Sequence, residues 1–502
     1  MKIIKTGKKK WPNRHLTFTE KIKDLYIIGN EPGLSALQAY QDTTRGLLKL
    51  VKEAVQKNTP LRLLGAGWSW TKIATVKDGI MIDTKQLNIM MSISAGAVMP
   101  GYTGDVTKLM FAQCGIGIWE LNDQLRKKKF SLKTCGASNG QSIVGAISTG
   151  AHGSTIDIGG VQDYIVGMHL IVGQNRHIYL ERVSNPIASD SLIQNLQAEL
   201  VRDDDLFNAA LVSFGSFGII HGVMLETEDL FLLETFMLRV PYDAPLKGAM
   251  STLDFSGIAT PYINERPFHF SVSINPYDIP NGAFVYMHYK RPYRIDYIPP
   301  KHNSGGIGPG DDAPAFIGFL TDVIPELVPT LVNKFLGARM IPFANQFGTL
   351  GEIFDNTDIR GKTMSTALGI PLDQVTAVTE VLLAVNKTNG PFTGIYAYRY
   401  IKSTKATLGF THFGNFTCIV EMDGVFSKTT EKYYEAVYSR LDQLNIPYTF
   451  HWGKMTKLDA VKIRNKYGLK AEAWMAARRR VLDANVLGIF NNPLLHEWGL
   501  DV

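Results

Sequence analysis

Cysteine is scarce in this 502-residue chain. Its three, Cys114, Cys135 and Cys418, are too few for a disulfide framework, which points to a reducing compartment and a cytoplasmic location. Long apolar runs are missing too. No stretch reaches the roughly 18 uncharged apolar residues of a membrane span, and the N-terminal "MKIIKTGKKKWPNRH" lacks the apolar core of a secretory signal. Neither sign of charge dominates. A net charge of +6 gives no reason to expect a nucleic-acid partner. The basic run Lys8–Lys10 reads as a solvated tail, with a hold on an anionic surface as the alternative. Signatures of common chemistries are also absent. No GxGxxG opens a helix after a strand, so a Rossmann nucleotide site is not supported. "DIRGKT", 358 to 363, has the Gly-Lys-Thr of a P-loop, but Asn356 stands where the earlier glycine belongs. There is no HExxH and no paired CxxC, so no metal site is expected.

The length asks for two or three domains. Residues 43–57 place Leu47, Val51, Ala54 and Val55 on one helical face. A strand then enters "GAGWSW" and a second follows in "GIMIDTK". "GIWELNDQLRKKK" sets Ile118, Leu121 and Leu125 at helical spacing. Strands are expected in "YIVGMHLIVGQNRHIYLE" and "GIIHGVMLETEDLFLLETFML", and, past about residue 235, in "FHFSVSINPYD" and "AFVYMHYKR". The breaker "KHNSGGIGPGDDAP" precedes an apolar stretch with Phe316, Leu320, Val323, Leu327 and Leu331 on one face, interrupted by Pro325 and Pro329. That stretch reads as a buried or half-buried cap helix; a lid for a greasy substrate or a contact with a membrane surface are the alternatives. A last helix, 427–444, turns Tyr434, Val437, Leu441 and Leu444 inward. The fold class is α+β.

Two segments can bring backbone close to a ligand. In "LRLLGAGWSW" Gly65 and Gly67 let the chain turn sharply after a strand. In "GQSIVGAISTGAHGST" glycines alternate with Ser142, Ser148, Thr149 and Ser154, a texture that binds phosphate oxygens through N–H groups and hydroxyls. A structural glycine-rich loop is equally compatible with the second segment alone.

The order of segments is more specific. "LRLLGAGWSW", "GIMIDTKQLN", "CGIGIWELNDQL", "CGASNGQSIVGAISTGAHGS" and "LFNAALVSFGSFGIIHGVML", in that sequence, resemble the FAD-binding domain of the vanillyl-alcohol oxidase family. "HWGK", 451 to 454, and "RRRVLDANVLGIFNN" are similar to its aldonolactone oxidase and alditol oxidase branch. The resemblance covers about 25–235 and 395–500. It implies a basic N-terminal segment (1–24), a two-subdomain PCMH-type FAD-binding domain (25–235), an α+β cap or substrate domain with a mixed or antiparallel sheet (236–450), and a C-terminal return to the FAD domain (451–502). The cofactor implied is FAD. Its site would draw on Gly65, Ala66, Gly67, Trp68, Ser69 and Trp70 of the first turn, and on Cys114. Gly136, Ala137, Ser138, Gly140, Ser142, Gly145, Ser148, Thr149, Gly150, His152, Gly153 and Ser154 would follow, then Gly218 and Ile220 at the adenine end, and Lys454.

Relatives often read "GAGHSW", their histidine carrying a covalent flavin bond. Trp68 cannot form that bond, so FAD is expected bound but not histidyl-linked; a thioether from Cys135 is the residual alternative. The activity implied is oxidation of a CH–OH group in an alcohol, polyol or lactone by hydride transfer to flavin N5. Arg399, Glu421 and Lys454 are the expected catalytic set, with Glu421 as base or substrate anchor and a structural ion pair as its plainer reading. Ala397 replaces the glutamate of a Glu-x-Arg strand, and Glu421 stands where the alditol branch has histidine. The first departure puts a polyol substrate in doubt, and the two together leave open a flavin-binding protein with lost or altered catalysis. His451 is expected to pack, and His152 to shape the phosphate turn. Cys114 occupies a gate-like position where a side chain narrows access for O₂. A quinone or cytochrome acceptor is then expected, the alternative being an oxidase that releases hydrogen peroxide.

Overall fold

The structure is a computed structural model that describes residues 1–300, 313–355 and 361–501. Most of the breaker loop at 301–314, Asn356, and the Asp-Ile-Arg of "DIRGKT" lie outside the described residues.

The chain begins with β1 (Lys2–Lys5), β2 (Asp24–Gly29), α1 (Ala36–Gln56), β3 (Leu61–Leu64) and β4 (Ile80–Gln86). These strands form a sheet in the order β1-β2-β4-β3, parallel except at β1. Ser35 caps α1 in a box with Gln38, and Leu47, Leu50, Val51 and Ala54 face the core. Residues 1–24 are therefore not a free tail. β1 pairs with β2, and the N-terminal ammonium pairs with Asp42; Lys8–Lys10 stay exposed.

Next come β5 (Met90–Ser92), β6 (Leu109–Gln113), α2 (Ile118–Lys127), α3 (Ile143–Ser148), β7 (Ile165–Ile171), β8 (His177–Glu181), β9 (Glu199–Arg202), α4 (Asp204–Leu211) and β10 (Ile219–Glu226). Among the described residues, its strands run β9-β8-β7-β10-β6-β5. β7 and β10 are almost entirely buried and largely apolar, and their buried histidines, His169 and His221, are satisfied by Tyr40, Thr43 and Thr44.

The third layer is an antiparallel sheet of β11 (Phe231–Val240), β12 (His269–Ile274), β13 (Ala283–Pro292), β14 (Phe343–Gly348), β15 (Thr363–Pro371), β16 (Gly394–Lys402), β17 (Phe416–Val425) and β18 (Thr449–Phe450), in the order β14-β11-β13-β12-β16-β17-β15-β18. It starts at Phe231, a few residues before the expected boundary at 235. Its helices include α5 (Ala313–Val323), α6 (Val328–Arg339), α7 (Val375–Asn389) and α8 (Lys428–Gln443). In α8, Tyr434, Val437 and Leu441 are buried as expected, but Leu444 is its C-cap and is exposed. The chain then returns to the first layers through α9 (Leu469–Val481), whose Trp474 and Arg478 bond to the carbonyls of Val212 and Ser216.

The apolar stretch from 315 departs most from expectation. Pro325 keeps Ile324 out of helical geometry (φ −135, ψ 66), so α5 stops there and α6 leaves at a bend of 118°. The continuous face is lost. Phe316, Val323 and Leu327 are 60%, 57% and 44% exposed, while Val328, Val332 and Leu336 are buried instead, against Tyr277 and Ile395. Among the described residues, no single helix is long and apolar enough to cross a membrane.

Candidate active site

A cavity of about 610 Å³ runs between the first two layers and the inner face of the cap sheet. Its first wall is built by the turn after β3. Gly67 lies at φ +70, and a Cβ on Gly65 would run into Ser142 Oγ, so both positions need glycine. Ser142 is itself the N-cap of α3, accepting from Gly145 N–H. The turn is tied to the "HWGK" segment: Trp70 N–H donates to Gly453 O at 2.8 Å, and Thr71 Oγ1 to Trp452 O at 3.2 Å. Trp70 Nε1 also donates to Thr363 O of the cap sheet at 2.9 Å.

Trp68 is held from behind. Arg14 lies over its ring at 4.2 Å, and His15 meets it edge-on while stacking on Trp70 at 3.8 Å. His15 Nε2 lies 3.1 Å from Trp68 O. Burial lowers the His15 pKa to about 4, so the ring is neutral and donates that bond. The N-terminal segment thereby fixes the indole at the cavity wall.

Among the expected cofactor residues, Gly65 to Trp70, Cys114, Gly136 to Ser138, Ser142, Gly145, Ser148, Thr149, His152, Gly218, Ile220 and Lys454 line the cavity. Gly140, Gly150, Gly153 and Ser154 do not. Gly140 lies under Trp68, where a Cβ would strike the indole, and a Cβ on Gly153 would strike Thr134. Gly150 makes the left-handed turn after α3 at φ +63. Ser154 is buried, its N–H on Thr134 and its carbonyl on His269. Cys135 is fully buried and is not among the lining residues. Burial pushes both the Cys114 and Cys135 thiols up to about 12, so neither is a thiolate.

Arg62 was not anticipated. It lines the cavity at 1% exposure, and its Nη1 donates to the carbonyls of Phe214 and Gly215, each at 2.7 Å. Nε and Nη2 have no partner among the described residues. Burial, then Arg478, pulls its pKa down to about 9. The available signal was a lone cation inside an apolar strand.

The opposite wall carries the charge. Glu421, on β17, is 4% exposed. Lys454 Nζ contacts its Oε1, His152 Nε2 stands 3.5 Å from the same oxygen, and Arg399 Nη2 lies 3.3 Å from Oε2. Oε2 accepts no hydrogen bond among the described residues. Burial alone would raise the Glu421 pKa, but Arg399, Lys454 and His152 together hold it well below the ordinary value. Burial likewise opposes charge on Lys454, yet Asp423, 3.5 Å away, and Glu421 hold its pKa above the usual one. Asp423 also accepts from Ser365. His152 thus faces the charged cluster, not only a phosphate turn. His451 lines the cavity as a neutral ring, its pKa pressed down by burial, and its Nδ1 accepts from Gly453 N–H at 3.0 Å.

Comparison with known proteins bears on what fills the cavity. Residues 37–178 match the FAD binding domain family. The chain is 30% identical over 198 residues to L-gulonolactone oxidase 3 of Arabidopsis thaliana, covering 38% of this chain and 30% of that protein. It is 26% identical over 201 residues to D-arabinono-1,4-lactone oxidase of Candida glabrata, covering 40% and 34%. The chain thus spans about a third of the length of these curated relatives. A cholesterol oxidase from B. sterolicum has the same fold, with a TM-score of 0.71 at 13% identity over 99% of this chain and 97% of that one. The chain carries an FAD binding domain in the PCMH-type fold, and FAD is its cofactor. The residues present fit it: a glycine turn whose Gly65 admits no Cβ and the buried Arg62, with Nε and Nη2 left without partners among the described residues, line the same cavity.

The charge cluster has a measurable stability signature. Glu421 has a folded-state pKa below the ordinary 4.5. Its contribution is therefore fully present above that value and is lost as pH falls through the lower one. Glu421→Gln should cost about 3–5 kcal/mol at neutral pH, because it removes the partner of the buried Lys454 and the half-buried Arg399. In denaturant titrations across pH the gap to the parent protein should narrow in acid; a gap that stays constant would contradict the assignment.

Proposed function

We propose that this chain is an FAD-dependent oxidoreductase that oxidises a CH–OH group of an alcohol or lactone-type substrate. The observation that carries this reading is the ionised, buried Glu421, flanked by Arg399 and Lys454, with one oxygen left without a hydrogen bond. Lactone oxidases among the relatives support the substrate class. When bound, FAD accepts the hydride at N5.

The protein's own groups do the rest. Glu421 Oε2 accepts a hydrogen bond from the substrate hydroxyl and so orients its carbon. A carboxylate held so far below its ordinary pKa is a weak base, which favours the anchoring role for Glu421 over the role of base. Arg399 and Lys454 place fixed positive charge where the substrate oxygen becomes negative as its proton leaves. His152, 3.5 Å from the other oxygen of Glu421, helps hold that carboxylate in place. Gly65–Trp70, Gly145 and Ser148–Thr149 would hold the cofactor through backbone and hydroxyl groups, and Arg62 would offset phosphate charge.

Lys454→Ala and Arg399→Ala should slow anaerobic flavin reduction by about 10² to 10³ while FAD retention stays within a few-fold. Parallel loss of cofactor and rate would mark both as structural.

We also propose that FAD is not covalently held. Trp68 cannot form a histidyl bond, and Cys135 is absent from the cavity wall. Acid precipitation should leave all flavin in the supernatant; yellow, fluorescent pellet protein would reverse this.

The electron acceptor is proposed to be a quinone or cytochrome. Support comes from Cys114, a protonated thiol at the cavity wall with 2% exposure, which fills space that O₂ would need. Reoxidation of the reduced protein by oxygenated buffer should be slow and should accelerate in Cys114→Gly. Fast reoxidation of the unmodified protein would instead make it an oxidase releasing hydrogen peroxide. A cytoplasmic setting is proposed on the three buried, unpaired thiols. The exposed apolar side chains of α5 and α6 support a peripheral membrane contact.

A further inference from the structure

We infer that the substrate is an amphipathic alcohol, its hydroxyl at Glu421 and an apolar body reaching past Asp423 to the end of the cavity at Ile395 and Val425; this rests on the CH–OH oxidation proposed above. The cap sheet grades from charged to greasy along its strands. Alternate residues share a face, so β16 presents Arg399, Ala397 and then Ile395, while β17 presents Glu421, Asp423 and then Val425. Four residues of antiparallel strand cover about 13 Å. Asp423, midway, is taken up by Lys454 and Ser365. Beyond it the cavity is closed by Ile395 and Val425 from the sheet and by Leu331, Val332, Phe335 and Leu336 from α6. Val332 and Leu336 pack directly beside Ile395. The bend between α5 and α6 is what turns this side of α6 into the cavity. A polyol extending from Glu421 would lay its hydroxyls along this end and lose their water hydrogen bonds without replacement. An alkyl or alicyclic body gains by entering it. In the reaction the C–H electron pair leaves as hydride to the flavin, the O–H proton is released to water, and a ketone or aldehyde remains.

The test uses the FAD-loaded protein and a series of 2-alkanols from butyl to dodecyl, set against an aldonolactone and a hexitol. Anaerobic flavin reduction gives rates and apparent Kd. The matching 2-alkanones, which cannot be oxidised, report binding through the flavin absorbance alone. Apparent Kd should fall about three- to fourfold per added methylene until the apolar end is full, in both series. Leu331→Asn and Val332→Asn should flatten that slope, with thermal melts confirming that each is folded. A Kd independent of chain length, or tighter binding of the lactone or hexitol than of every alkanol, would overturn the inference while leaving CH–OH oxidation standing. Length-dependent ketone binding with no flavin reduction by any alkanol would support the amphipathic pocket and sink the oxidation instead.

Discussion

A carboxylate buried to 4% exposure is tolerable only if its charge is met, and meeting it at Glu421 ties the molecule together. Each partner comes from a different part of the chain. Arg399 comes from the neighbouring cap strand, Lys454 from the segment leading back to the first layers, and His152 from the turn after α3. Separating cap and cofactor layers would take His152 from this carboxylate and leave it less compensated, and an undercompensated buried ion is costly. The same contacts that close the domains therefore place three ionisable groups at one end of the cavity.

The second seam runs through the β3 turn. Trp70 bonds to Gly453 and Thr363, and His15 stacks on Trp70 while bonding to Trp68 O. A tryptophan fits a tight glycine turn here because other parts of the chain built it a socket. Gly140 leaves room beneath the ring and Arg14 covers it. The indole is thereby part of the wall, and the N-terminal residues, which carry little pattern of their own, become structural.

Much of this was legible in the sequence where a residue's role is set by its neighbours in the chain. The helices α1, α2 and α8 follow their 3.6-residue periodicity, and the β3 turn announces itself by Gly65 and Gly67 beside apolar strand residues. The FAD segments were legible through their order. What stayed hidden depended on distant packing. Periodicity continued through Pro325, although the backbone could not, so the buried set shifted to Val328, Val332 and Leu336. Gly140, Gly153 and Ser154 share the texture of a phosphate loop but serve the packing behind it. His152 in a glycine-rich loop carries no local pattern that reveals a charge role, and Arg62 shows only as a lone cation in an apolar strand.

Ala397 and Glu421 show that one acid position can be reached from either of two strands. The two are directly opposed across β16 and β17, and opposed Cβ atoms lie about 4.5–5.5 Å apart. A glutamate on either strand can therefore put its carboxylate into nearly the same volume, provided the other position is small. Ala397 is small, and Arg399, two residues along on the same face, still reaches the carboxylate. Exchanging the strand that carries the acid changes its approach, however. From β17 the carboxylate also meets Lys454 and His152, which deepens its ionisation and suits the anchoring role proposed above better than proton abstraction. What then distinguishes one substrate from another is the rest of the face, where Asp423 gives way to Val425 and Ala397 to Ile395, and where α6 supplies the opposing apolar side.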